Sequence, residues 1–230
     1  MASDPTRAPG IMQRRAFLVA APAVVLVACG PAEPMASSAS VLSQRAYRHP
    51  GPPMLSLFTM KSTSSDNGMH TGLMINASQR VIFDPAGTFG DDIAREPWGY
   101  LVPENNDVHY GITDEIAEFY ARYHARITYY VLRQDLVVTP AQAEAAFRAA
   151  TAYGAVPKAQ CTVATTAVLR QVPGFQSLQS TWFPDNLSRQ FASFPGVVER
   201  EYRENDSDDK SLAADAFGAQ IVAAGAVAQP

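Results

Sequence analysis

Two cysteines occur in the 230 residues of this chain, Cys29 and Cys161, and they do not form a pair. Cys29 ends an N-terminal apolar run, and a stretch rich in Ala, Ser, Pro and Gly separates it from the first patterned segment. Cys161 is then the one free thiol, with no intrachain disulfide partner. No cross-link assists folding, so a hydrophobic core has to hold the domain. The 47% hydrophobic content is ordinary for such a core, and the length suits one domain with ragged ends. A lone thiol in an exported chain is a liability unless it is buried or used.

The case for export lies in residues 13–30. Arg14-Arg15 is followed by an apolar stretch and then by Leu26-Val-Ala-Cys29. The order resembles a bacterial lipoprotein signal, with Cys29 as the acylated first residue of the mature chain. Residues 16–28 are too few to cross a bilayer as a helix, which takes about 20; an uncleaved N-terminal anchor is the alternative. Arg14-Arg15-Ala-Phe-Leu18 also resembles a Tat signal, which serves proteins exported already folded. The expected location is the cell envelope, with the membrane as a partner through the N-terminal lipid.

Removing residues 1–28 takes away three arginines and one aspartate. The remaining 15 basic and 21 acidic residues give a formal charge of about −6. Nucleic-acid binding needs clustered Lys and Arg; none is present, so no nucleic-acid partner is expected.

The chain divides by composition. Residues 1–28 are the signal, 29–53 a flexible tether, 54–203 the working domain, and 204–230 an acidic break followed by an Ala-rich tail, either a weakly docked helix or disordered. Within the domain, Met54–Met60 reads as a strand. His70–Asn76 and Arg80–Asp84 flank a turn-prone Asn-Ala-Ser-Gln and read as a β-hairpin. Thr113 caps an amphipathic helix with apolar positions 116, 119, 120 and 123, and residues 127–132 read as a strand. Thr139-Pro140-Ala-Gln142 combines an N-cap, Pro at the first helical position and a capping box. Further helices are expected from Cys161 to Gln171 and after Pro184, and a last strand over 197–202. The order predicts an α+β fold, a small antiparallel sheet packed against helices.

The chemistry centres on Cys161. A thiol is a nucleophile only as thiolate, and its pKa falls beside an imidazolium or at a helix N-terminus. The sequence places Cys161 at such a terminus, where backbone N–H groups could also receive an oxyanion. The alternative is a buried structural cysteine. His70, at the head of a strand, is the candidate base, or else a strand cap. The expected hairpin register sets residues 70 and 71 opposite 84 and 85, where Asp84 could orient the imidazole or merely form an Asx-turn. His109 is the rival histidine. His124 reads as exposed, late in its helix, and His49 falls in the tether. No His or Cys pair has zinc-ligand spacing and no Gly-rich phosphate loop occurs, so no cofactor is expected. A zinc site from His70, His109 and Asp84 is a weaker expectation.

The segments H-T-G-L-M-I-N and R-V-I-F-D-P-A-G resemble the histidine hairpin of NlpC-type papain-like hydrolases. In that superfamily's standard order the cysteine helix comes first. Here K-A-Q-C-T-V-A-T-T-A-V-L comes later, which resembles the circularly permuted branch that includes lecithin:retinol acyltransferase-like proteins. Pro184-Asp-Asn-Leu187 is similar to a helix start often found there. The resemblance spans about residues 54–190. It implies a permuted papain-like fold with Cys161 as nucleophile, His70 as base and Asp84 as orienting residue. The implied substrate is an amide or ester, a peptidoglycan peptide or a lipid acyl group. Many permuted members carry Asn directly before the nucleophile and an aromatic soon after; Gln160 stands here, with no aromatic until Phe175. That departure motivates a second expectation, an envelope binding or scaffolding lipoprotein that keeps the fold without the chemistry.

Overall fold

A computed structural model of the chain describes residues 37–89 and 102–223. The signal segment, Cys29 and the last seven residues of the tail lie outside the described residues. Seven strands form one antiparallel sheet: β1 (Met54–Ser62), β2 (Gly68–Asn76), β3 (Arg80–Phe83), β4 (Glu104–Asn105), β5 (Val108–His109), β6 (Tyr129–Val137) and β7 (Val198–Tyr202). Their spatial order is β4-β5-β3-β2-β1-β6-β7. Six helices are described: α1 (Ala39–Gln44), α2 (Asp114–His124), α3 (Pro140–Thr151), α4 (Cys161–Arg170), α5 (Pro184–Ala192) and α6 (Lys210–Ala223). The α+β expectation holds, with a larger sheet than the sequence implied.

Alternation along the strands feeds two cores. Leu55, Leu57, Leu73, Ile75, Val81 and Phe83 pack against the apolar stripes of α3, α4 and α5, through Ala146, Ala149, Val168, Leu187 and Phe191. Phe58, Met60, Met74 and Ile82 face the other way, onto α2 and α6. Each strand side chain therefore reports on one face only, and a one-residue slip would exchange the two cores. The helix starts match the sequence signals. Thr113 caps α2 through a bond from Ile116 N–H, and Thr139 with Gln142 closes the capping box of α3.

Two segments depart from their sequence reading, and the tail takes the first of its two expected forms. Residues 37–53, assigned to a tether, are docked on the sheet. Arg80 N–H donates to Tyr47 O at 2.8 Å, Asn76 Nδ2 donates to Pro52 O at 2.8 Å, and Leu42 packs on the first core. The tail is helical from Lys210; Ala214 is buried and Phe217 stacks on Phe119 with ring centroids 4.0 Å apart. The strand expected over 127–132 instead spans Tyr129–Val137, because β6 pairs with β1 along its whole length. Ile127, exposed, is held outside the sheet by its N–H bond to Asp206 O.

The hairpin register matters most for the site. Leu73 pairs with Phe83 and Asn76 with Arg80, and pairing stops at Phe83. Extending that register puts Asp84 across from Gly72, one residue along from the expected place opposite Thr71 and two from His70. His70 and Asp84 are thus diagonal neighbours on one face, still within reach of long side chains. Because β3 is short, the opening residues of β2 have no strand on that side.

Candidate active site

Four segments converge where β3 ends. His70 Nε2 lies 2.7 Å from Asp84 Oδ1, and the Tyr120 hydroxyl of α2 donates to the same oxygen at 2.7 Å. Cys161 lies close enough to His70 for each to favour the other's charged form. Cys161 opens α4, whose N-cap, Gln160, makes no side-chain capping bond. The first-turn N–H groups of α4 therefore present the positive end of the helix to the sulfur. Thr162 Oγ1 lies 3.7 Å from Cys161 Sγ and 3.3 Å from Thr71 Oγ1. The Thr71 backbone N–H also favours the thiolate.

These contacts set the protonation states. Burial pushes the Cys161 thiol up, but the hydrogen bond and charge of His70, with Thr162 and the Thr71 N–H, bring it below its ordinary value. Burial opposes charge on His70 too; the Asp84 charge and hydrogen bond outweigh it and raise the imidazole to about 10. Asp84 is fully buried, which alone would raise its carboxyl, yet the His70 charge and hydrogen bond hold it well below the carboxylate range. At neutral pH the cluster pairs a His70 imidazolium with the Asp84 carboxylate, beside a Cys161 thiol that gives up its proton more readily than an ordinary cysteine.

Two glycines make room for it. A Cβ on Gly72 would overlap the Tyr120 hydroxyl and lie 3.3 Å from Asp84 Oδ1. A Cβ on Gly87 would overlap the Asp84 carboxylate. The turn between them, Asp84-Pro-Ala-Gly87, is closed by Gly87 N–H donating to Asp84 O at 3.0 Å. Ala86 sits at φ +58°, a left-handed conformation that a residue with a side chain adopts at some cost. The Asx-turn alternative for Asp84 is thus only half the story: the backbone turns here while the side chain serves His70.

The other histidines are placed differently from the sequence reading. His124, expected on an exposed surface, is buried. Its Nδ1–H donates to Tyr120 O at 2.9 Å, and its ring stacks on His70 at 6.2 Å. Burial, then the Lys210 charge, lower it to about 3, so it is a neutral ring against the His70 imidazole. Its position four residues after Tyr120, on the same helix face, was the signal available for this. His109 is buried opposite Ile82 and lowered by burial to about 4. Its Nδ1 has no hydrogen-bond partner among the described residues, and it is not bonded to Cys161. His49 belongs to the docked segment, 3.2 Å from Asp114. The weaker zinc expectation fails on geometry: no group of three His, Cys, Asp or Glu among the described residues is arranged to hold a metal ion.

Tyr120 and Asp107 were not anticipated. Tyr120 stood in the apolar stripe of its helix, where a buried phenol still has to find an acceptor. Asp107 accepts from Val156 N–H at 2.6 Å, and its backbone O accepts from Asp84 N–H at 2.9 Å. Burial first, and the nearby Asp84 charge, raise it to about 6. Two surface clefts, of about 490 and 560 Å³, lie at α3 and between α2 and α6, and neither is lined by Cys161 or His70. The chemistry, rather than either hollow, marks the site.

Fold and cluster together define an α+β protein in which a partly exposed His70 sits among buried Cys161 and Asp84 at the end of a sheet strand. No protein-family model, curated protein or solved structure matches the chain.

Proposed function

We propose that this protein is a thiol-dependent hydrolase or acyltransferase acting on an amide or ester bond, with Cys161 as nucleophile, His70 as general base and acid, and Asp84 as orienting residue. The observation that carries it is the cluster of Cys161, His70 and Asp84, in which His70 Nε2 lies 2.7 Å from Asp84 Oδ1 and the imidazole and thiol favour each other's charged forms. The thiolate attacks the carbonyl carbon, and the first-turn N–H groups of α4 face the developing oxyanion. Collapse of the tetrahedral adduct expels the amine or alcohol, which takes its proton from His70. A thioester remains on Cys161. Water or another nucleophile then gives a proton to His70 and attacks the thioester, releasing the acid or a transferred acyl product. Asp84 keeps the imidazole oriented and stabilises its cation throughout.

Support for a permuted papain-like arrangement comes from the order of parts: a histidine strand, its hairpin partner, and a cysteine helix later in the chain. We read the N-terminal segment as a lipoprotein signal with acylation at Cys29, which would anchor the enzyme to the cell envelope. A peptidoglycan peptide or a lipid acyl group is the matching substrate class.

The test is the rate of iodoacetamide alkylation of Cys161 against pH, in a Cys29→Ser background, with and without His70→Ala. A thiol titrating well below the free value of about 8.5, moved back up by His70→Ala, supports the proposal. A slow rate at every pH, insensitive to His70, leaves a structural thiol and favours a binding module. Cys161→Ala should abolish turnover while shifting the melting temperature by only a few degrees.

A further inference from the structure

The histidine strand contains an irregularity at the residue before the catalytic imidazole. Met60 pairs with His70 but Lys61 pairs with Gly68, so Met69 has no residue opposite it. This is a β-bulge. Bulges bend a strand, re-aim the next side chain and leave ladder groups without partners. Here Met69 is turned outward, with more than half its surface exposed, and His70 is turned toward Asp84 and Cys161.

The neighbouring N–H group is caught from outside the sheet. Gly68 N–H donates to Asp185 Oδ2 at 2.6 Å. Asp185 stands in the first turn of α5, directly after Pro184. The approach is close enough to require glycine: a Cβ on Gly68 would lie 2.7 Å from Pro184 Cβ and 2.9 Å from Asp185 N. The second carboxylate oxygen, Oδ1, lies 3.4 Å from Lys61 Nζ, on the strand across the bulge. One carboxylate thus ties both strands at the bulge to the helix that starts with Pro184-Asp-Asn-Leu187.

We propose that Asp185 is a positioning residue for His70: by accepting the Gly68 N–H it pins the bulge that aims the imidazole at Cys161. The proposal rests on the Cys161–His70 reading above. It also gives the Pro184–Leu187 helix start a role, namely holding the base's strand in place.

The experiment uses the full chain with Cys29→Ser and compares Asp185→Ala, Asp185→Glu, Asp185→Asn and Lys61→Met. Two quantities are followed against pH, the alkylation rate of Cys161 and the titration of the His70 ring by NMR. Asp185→Ala removes the acceptor. It should move the thiol titration up, so that alkylation at pH 7 slows severalfold. Asp185→Glu keeps the charge but displaces the acceptor and should shift the titration the same way; it serves if the alanine variant does not fold. Asp185→Asn retains an acceptor oxygen, and Lys61→Met retains the Gly68 bond, so both should keep the parent profile. An unchanged profile in the alanine and glutamate variants overturns the proposal. So does an equal shift in Asp185→Asn and Lys61→Met, since charge rather than the Gly68 bond would then be responsible. If Cys161 of the parent is itself unreactive at every pH, the thiol reading fails; the His70 titration then decides alone, and no difference between parent and Asp185→Ala overturns the positioning role.

Discussion

Gly72→Ala tests how tightly the site is packed. The added methyl would overlap the Tyr120 hydroxyl and stand 3.1 Å from its Cζ. Tyr120 has no exposed surface and cannot swing into solvent, so the ring must shift and its 2.7 Å bond to Asp84 lengthens or breaks. Overpacking of this kind costs about 1–3 kcal/mol, and losing a bond to a buried charge about 1.5–3 kcal/mol. Alanine returns roughly 0.5–1 kcal/mol through the lower entropy of the unfolded chain. The net expectation is a loss of roughly 2–5 kcal/mol, a large part of a typical stability of about 5–15 kcal/mol. The assay is urea unfolding of four proteins: the parent, Gly72→Ala, Tyr120→Phe and the double variant. Phenylalanine removes the overlapping oxygen and leaves a carbon whose adjustment is a few tenths of an ångström. Gly72→Ala should therefore cost about 1 kcal/mol or less in the Tyr120→Phe background, a coupling of at least about 1–2 kcal/mol. Equal costs in both backgrounds would refute the reasoning, because the clash would not be with the hydroxyl.

The remaining predictions concern charge and attachment. His70 is raised to about 10 in the folded chain against about 6.5 unfolded, so its contribution to stability is complete below pH 6.5 and lost as pH rises toward 10. In a Cys161→Ala background, where the thiol no longer titrates and Asp84 still holds the imidazolium, urea unfolding between pH 6.5 and 10 should show this loss, and His70→Gln should flatten it. His109 and His124 act in the opposite sense. Their folded values of about 4 and 3 are depressed, so their contribution is present above pH 6.5 and fades as pH falls through those values; His124→Phe should make the acid arm shallower. Gly87→Ala displaces the Asp84 carboxylate and should raise the Cys161 titration, read by alkylation, more than it lowers the unfolding midpoint. Phe217→Ala removes the stack on Phe119 and should speed hydrogen exchange over 210–223 while amides of β1 and β2 keep their protection; equal acceleration in both would count against a peripheral helix.

Much of this architecture was legible because the local signals agree with one another. The capping box at Thr139, the N-cap at Thr113 and the Asn-Ala-Ser-Gln turn each act through neighbours a few residues away, and the structure honours all three. Cys161, His70 and Asp84 were legible because a lone thiol, a strand histidine and an aspartate after a hairpin are few enough to compare. The rest depends on distant partners that composition does not record. Residues 37–53 look like a linker, yet Asn76 and Arg80 supply side-chain and backbone partners that fix them. His124 looks solvated until β2 and α2 are placed face to face. The bulge at Met69 has no local signature, and the Gly68 N–H beside it meets Asp185, 117 positions along the chain.

The early end of β3 has a consequence for folding. With pairing ended at Phe83, the groups that favour the thiolate come from parts of the chain remote from Cys161. Thr71 and Thr162 are 91 residues apart, and Tyr120 and Asp84 are 36 apart. Contacts of such long separation close late, since loop entropy is lost before they form. Until α4 docks on β2, Cys161 has the sluggish chemistry of any free cysteine. The rate of its modification therefore reports how many chains have brought these segments together.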